Sequence, residues 1–184
     1  MAGHPPQPSG VSGPHDWLAA ADLIDWSAVP RIDVDTGDAP FCRWFPDGRL
    51  NTCHNALDRH VQAGRGDVAA LIFDSAMTGE RRRYSYAELR DEVARVAGML
   101  RGMGVGKGDR VLIYMPLAPE AVMAMLACAR LGAVHSVVFG GFAAPELAKR
   151  IVDAQPVIIV TASCGLEPAR VVEYLPIIAQ AQAI

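Results

Sequence analysis

The sequence predicts an α/β protein: an incomplete, mainly parallel sheet flanked by helices, with a helical lead-in before it. Three observations carry this. Apolar runs at 111–115, 134–139 and 157–161 alternate with helical patterns over 119–131 and 145–153. Such alternation builds a parallel sheet through right-handed crossovers. The runs are continuously apolar rather than alternating, which predicts strands covered on both faces. Finally, the run 134–139 stops at Gly140-Gly141 and a Pro145-started helix follows. Glycines therefore stand at a strand's carboxyl end, where open α/β sheets bind ligands.

Each element has a local reason. Residues 1–14 are rich in Pro, Gly and Ser, contain no apolar core region, and read as a disordered leader. Trp17, Ala20, Ala21 and Ile24 recur at helical spacing. The stretch 30–40 reads as irregular, and Pro46-Asp47-Gly48 as a turn. Asn51 is placed to cap a helix through His60, with Gly64 and Gly66 ending that segment. The run 69–73 predicts a strand and 82–85 a short antiparallel partner. Ser85-Tyr86-Ala87-Glu88 is a capping box opening a helix whose apolar face carries Tyr86, Leu89, Val93, Val96, Ala97, Leu100 and Met103. The expected organisation is leader 1–14, helical lead-in 15–66, and from 67 to 184 the first part of an α/β domain.

Composition excludes several functions. At 184 residues, 51% apolar, 20% charged and net charge −3, the chain carries no basic stripe for nucleic acid or an anionic membrane. Arg81-Arg82-Arg83 fits a solvated sheet edge. Cys42, Cys53, Cys128 and Cys164 form no C-x-x-C pair, so neither a disulfide framework nor a zinc site is predicted and a reducing cytoplasm is expected. No apolar run is long enough to span a membrane.

The run from Gly102 to Gly108 imitates a phosphate loop but fails on inspection. Arg101 stands where a Walker motif needs glycine, Gly108 where it needs Ser or Thr, and helix precedes strand instead of following it. A helix stop and tight turn account for it, with Asp109 as a turn residue. His54, His60 and His135 lack metal-ligand spacing, and no nucleophile elbow surrounds Ser136 or Ser163. Phe139-Gly140-Gly141-Phe142 has a stronger case, although a plain strand-to-helix turn also explains it. A second loop, running from Ala162 to Arg170, leaves a neighbouring strand at the same end. Glycine amides, aromatics and a guanidinium together suit a phosphorylated adenosine.

These segments resemble the beginning of the acetyl-/propionyl-CoA synthetases, short-chain members of the AMP-forming acyl-CoA ligases. The resemblance is carried by Trp44-Phe45-x-x-Gly48-x-Leu50-Asn51, Tyr84-Ser85-Tyr86-x-Glu88-Leu89 and Gly106-x-Gly108-Asp109-Arg110-Val111. It continues through Arg130-Leu131-Gly132-Ala133-x-His135-Ser136-Val137-Val138-Phe139-Gly140-Gly141-Phe142 and covers roughly Trp17 to the end. Ser163-Cys164-Gly165-Leu166-Glu167-Pro168-x-Arg170 leans toward the propionate-type branch.

The resemblance implies conversion of carboxylate, ATP and CoA into acyl-CoA, AMP and pyrophosphate, with magnesium, in the intact parent. It implies that Phe139, Gly140 and Gly141 lie along the CoA adenosine and that Arg170 meets its phosphate. Acetate-type members usually have a second arginine where this chain has Glu167. The family's ATP-phosphate loop, acyl pocket and adenylating lysine are expected further along, so no residue is assigned a catalytic or metal role. The chain alone is expected to be inactive, and to self-associate through the open edge of its unfinished sheet. The alternative is a non-catalytic module that binds CoA or another protein.

Overall fold

Residues 15–38 and 40–184 are described by the computed structural model, in two units, Met1–Asn51 and Thr52–Ile184. The leader expected at 1–14 lies outside the described residues.

In the first unit, helix α1 (His15–Ala21) precedes an antiparallel pair, β1 (Val34–Asp38) and β2 (Phe41–Trp44). The helix stops before Leu23, which is largely exposed, and Ile24. Trp17 meets Trp44 edge-on with centroids 5.0 Å apart, and Trp26 meets Phe45 at 5.4 Å. The predicted turn is present: the Gly48 amide donates to the Phe45 carbonyl at 2.9 Å, and the Asp47 carboxylate accepts from the Arg31 and Ile32 amides at 3.0 and 3.3 Å. Part of the stretch read as irregular is therefore strand. Its sequence, Val-Asp-Thr-Gly-Asp, has β-branched Val34 and Thr36, but Asp35, Gly37 and Asp38 are turn-favouring residues that mask the strand signal.

The second unit opens with a helical stretch from Thr52 that includes two wide π-type turns, His54–Asp58 and Val61–Arg65. It runs past His60 as far as Arg65, so the segment ends at the Gly64 and Gly66 stop that the sequence suggested. Strands β3 (Ala69–Asp74) and β4 (Arg81–Ser85) pair antiparallel as expected. Arg81, Arg82 and Arg83 are exposed; Arg81 bonds Asp74 at 3.1 Å and Arg82 pairs with Glu80. That is the solvated-edge arrangement. Helix α2 (Tyr86–Gly102) begins in a closed capping box: the Ser85 hydroxyl accepts from the Glu88 amide at 3.2 Å, and the Glu88 carboxylate from the Ser85 amide at 2.8 Å. Leu89, Val93, Ala97 and Leu100 are buried, whereas Met103 lies beyond the helix end and is exposed.

Gly104 and Gly108 take φ of +92° and +87°, and Asp109 accepts from the Gly106 amide at 2.8 Å. The glycine run is thus a turn. It delivers the chain into β5 (Arg110–Met115), followed by α3 (Pro119–Leu131), β6 (Val134–Phe139), α4 (Ala144–Ala154) and β7 (Ile158–Thr161). The three strands are parallel in the order β6-β5-β7. A hairpin, β8 (Cys164–Glu167) and β9 (Arg170–Glu173), and helix α5 (Tyr174–Gln182) complete the described chain. Neither is expected from the sequence pattern.

Strand β5 divides the core by its period of two. Val111 and Ile113 join the cluster that holds Leu89, Val93 and Leu100 of α2 and Met123, Ala127 and Cys128 of α3. Leu112 and Tyr114 face the other way, with Leu147 of α4 and Tyr174 and Ala181 of α5. On the first side, Arg130 donates to both carboxylate oxygens of Asp58 at 3.2 and 2.8 Å, tying α3 to the π-type turn. The double coverage read from continuous apolar runs holds for β5. It does not extend to β6, where Val134, Val137 and Phe139 are exposed. Its run is interrupted by His135 and Ser136, and β6 is the edge of this sheet.

Candidate functional site

The candidate site is positioned by the direction of the crossovers. From β5 the chain steps to β6 through α3 on one face of the sheet. From β6 it passes back over β5 to β7 through α4 on the opposite face. Two crossovers of the same hand running in opposite directions must use opposite faces. Between the carboxyl ends of β5 and β6, connections therefore leave to opposite sides and open a crevice. Met115 and Phe139 are register partners at that end, and Phe139-Gly140-Gly141-Phe142 is the loop leaving it.

That loop is a tight turn. The Phe142 amide donates to the Phe139 carbonyl at 3.1 Å, and the two rings meet edge-on, centroids 5.8 Å apart. Phe139 is 70% exposed. Phe142 is covered by the Arg150 guanidinium, 4.4 Å above the ring centroid. From beneath, the Tyr114 hydroxyl donates to the Phe142 carbonyl at 2.6 Å and approaches the Gly140 carbonyl at 3.3 Å. Burial pushes the Tyr114 phenol above its ordinary pKa, which keeps it a proton donor.

Gly140 has a packing reason of its own. A Cβ there would lie 2.5 Å from the Tyr174 hydroxyl oxygen and 3.0 Å from the Met115 carbonyl oxygen. At Gly165 in β8 a Cβ would lie 2.4 Å from the same hydroxyl. Tyr174 is buried and stacks edge-on against Tyr114. One phenol thus seats the turn after β6 and the base of the β8–β9 hairpin together. Gly141 is different, because the ring a Cβ would meet is that of its neighbour Phe139, at 2.5 Å.

Arg170 sits across the hairpin tip from Glu167, its register partner, and donates from Nε to that carboxylate at 2.8 Å. The hydrogen bond and charge of Glu167 raise the Arg170 pKa further. Of the four sequence-predicted site residues, Phe139, Gly140 and Gly141 form one turn. Tyr174 ties that turn to Gly165, two residues before Glu167 in β8. Sequence reasoning missed Tyr114 and Tyr174. The available signal was a tyrosine inside the aliphatic β5 run, since a buried phenol seeks a partner for its hydroxyl.

The other candidates take structural places. His60 stacks on Tyr86 at 4.5 Å, and Cys53 and Cys128 are fully buried, their thiols pushed up in pKa by desolvation. Among the described residues, no three His, Cys, Asp or Glu side chains gather in a way that could hold a metal ion. No described helix is long and apolar enough to cross a membrane.

Residues 57–183 match the family model described as AMP-binding enzyme. The chain belongs to that family. Residues 17–56 match the model described as acetyl-coenzyme A synthetase N-terminus, so the two matches abut. Over 165 residues the chain is 59% identical to an uncharacterized protein of Pseudomonas aeruginosa, covering 90% of this chain and 26% of that one. It is 46% identical over 168 residues to human acyl-CoA synthetase short-chain family member 3, mitochondrial, covering 91% and 24%. To the propionate–CoA ligase of Escherichia coli it is 48% identical over 158 residues, covering 86% and 25%. The chain spans about a quarter of the length of these relatives. The fold, a parallel three-strand sheet with helices and small antiparallel pairs, fits the opening part of an adenylate-forming domain.

Proposed function

We propose that this chain is the opening portion of a cytoplasmic, AMP-forming short-chain carboxylate–CoA ligase acting on propionate or acetate. The observation that carries the reading is the pair of abutting family matches, acetyl-coenzyme A synthetase N-terminus and then AMP-binding enzyme, which together account for residues 17–183. Relatives named as propionate–CoA ligase and acetyl-coenzyme A synthetase support the substrate class.

In this reaction a carboxylate oxygen attacks the α-phosphorus of ATP and pyrophosphate leaves. The CoA thiolate then attacks the acyl carbon and AMP leaves. The first step replaces a poor leaving group by a good one. This chain's part is to receive the adenosine end of CoA. The exposed Phe139 ring offers a stacking face for adenine, the amides of Gly140 and Gly141 offer donors, and Arg170 offers a guanidinium to phosphate. Magnesium and ATP belong to the parent reaction.

A chimera tests the reading. This chain replaces the matching first segment of the E. coli propionate–CoA ligase, and propionyl-CoA formation is measured. The expected result is activity in the chimera and no carboxylate-dependent pyrophosphate release from the chain alone. A folded but inactive chimera, or pyrophosphate release by the isolated chain, would overturn it.

A further inference from the structure

The tip of the β8–β9 hairpin is built as a neutral pair. Glu167 and Arg170 are register partners flanking Pro168-Ala169, and their side chains meet at 2.8 Å. Pro168 confines the residue before it to extended backbone, which keeps Glu167 in strand geometry beside its partner. A guanidinium grips a phosphate best with two parallel donors. Here the Nε edge is already occupied by a carboxylate, and any phosphate approaching the remaining donors meets a like charge.

We infer that Glu167 is a specificity-determining residue that neutralises Arg170, so that the hairpin tip barely distinguishes CoA from CoA lacking its 3′-phosphate. The inference rests on the CoA reading above and adds to it the residue that sets how strongly the terminal phosphate counts. The pair is solvent-exposed, with side chains 67% and 40% accessible, so the carboxylate can be removed without opening the core.

The test is an amide NMR titration of the full chain with CoA and separately with dephospho-CoA, in wild type, Glu167→Gln, and Glu167→Gln combined with Arg170→Ala. Wild type is expected to bind the two ligands within about 2-fold of each other, as suits a guanidinium already paired at the surface. Glu167→Gln is expected to tighten CoA by about 3- to 10-fold, because a freed guanidinium can take a charge-assisted bond to phosphate, and to leave dephospho-CoA unchanged. Arg170→Ala should abolish that gain. Equal tightening of both ligands, or a wild-type preference for CoA of about 10-fold or more, would overturn the role of Glu167 while leaving CoA binding intact. If neither ligand moves the amides of Phe139, Gly140 and Gly141 in any variant, the CoA reading itself falls and this inference with it.

Discussion

The ring of Tyr174 stands edge-on to that of Tyr114, with centroids 4.9 Å apart and planes inclined at 60°. Tyr114 comes from the central strand and Tyr174 from the first turn of the last helix. The Tyr114 hydroxyl reaches the carbonyls of the turn after β6, while the Tyr174 hydroxyl fills the space a Cβ would need at Gly140 and Gly165. Two aromatic residues therefore hold the loops that carry the candidate site.

Tyr114→Phe keeps the ring and removes the donor, leaving the Phe142 carbonyl without that bond. A loss of about 1–2 kcal/mol is expected in urea unfolding. Amide exchange should accelerate around Gly141 and Phe142 more than in α2.

Gly140→Ala and Gly98→Ala should move in opposite directions. At Gly140 the methyl collides with Tyr174 and a backbone carbonyl, and a cost of about 1–3 kcal/mol is expected. Gly98 lies inside α2, and a methyl group added there would meet nothing within 4 Å. Alanine at that position should stabilise by about 0.5–1 kcal/mol. Paired thermal melts check both signs.

Ser85→Ala opens the capping box and should cost about 1 kcal/mol. The bonds from Ser85 hold the Glu88 carboxyl below its ordinary value of 4.5. A carboxyl lowered on folding stabilises fully above its unfolded pKa and loses that share as the pH falls through the folded one. The Ser85 amide that does most of this survives in Ser85→Ala, so the difference between wild type and Glu88→Gln is the one that should be constant near neutrality and shrink below about pH 4.5, as equilibrium unfolding at several pH values would record.

Val137→Lys on the outer strand tests self-association. β6 is an edge with exposed Val134, Val137 and Phe139, and a lysine there blocks strand addition. Sedimentation velocity should show wild type associating as concentration rises and the variant remaining monomeric. A wild type that stays monomeric throughout would contradict it.

Much of this was legible in the sequence, and the failures have physical causes. The alternation of apolar strands and helices from Arg110 onward, the Ser85 capping box and the Gly104 turn are written in local patterns that packing did not override. The β1–β2 and β8–β9 hairpins were missed because their strands are four or five residues long and their β-branched residues, Val34, Thr36, Val171 and Val172, are interrupted by Asp, Gly, Glu and Arg. Exposure of β6 was missed because an apolar run reports the burial a strand is suited to, not which neighbours pair with it. Within the site, Gly140 was recognised as a place of close approach. That the approaching group inside the fold is Tyr174, far along the chain, is a tertiary fact with no local sign.

The central claim is that the turn after β6 and the β8–β9 hairpin form one half-site for CoA. It is tested most directly by a two-dimensional amide titration of the chain with CoA, with Arg170→Ala as control. Dispersed resonances are expected, with shifts that concentrate at Phe139, Gly140, Gly141 and Arg170; Arg170→Ala should remove those at the hairpin tip while changing the affinity by no more than about 2-fold. A folded chain whose spectrum is indifferent to CoA, or shifts confined to residues away from both the turn and the hairpin, would contradict it.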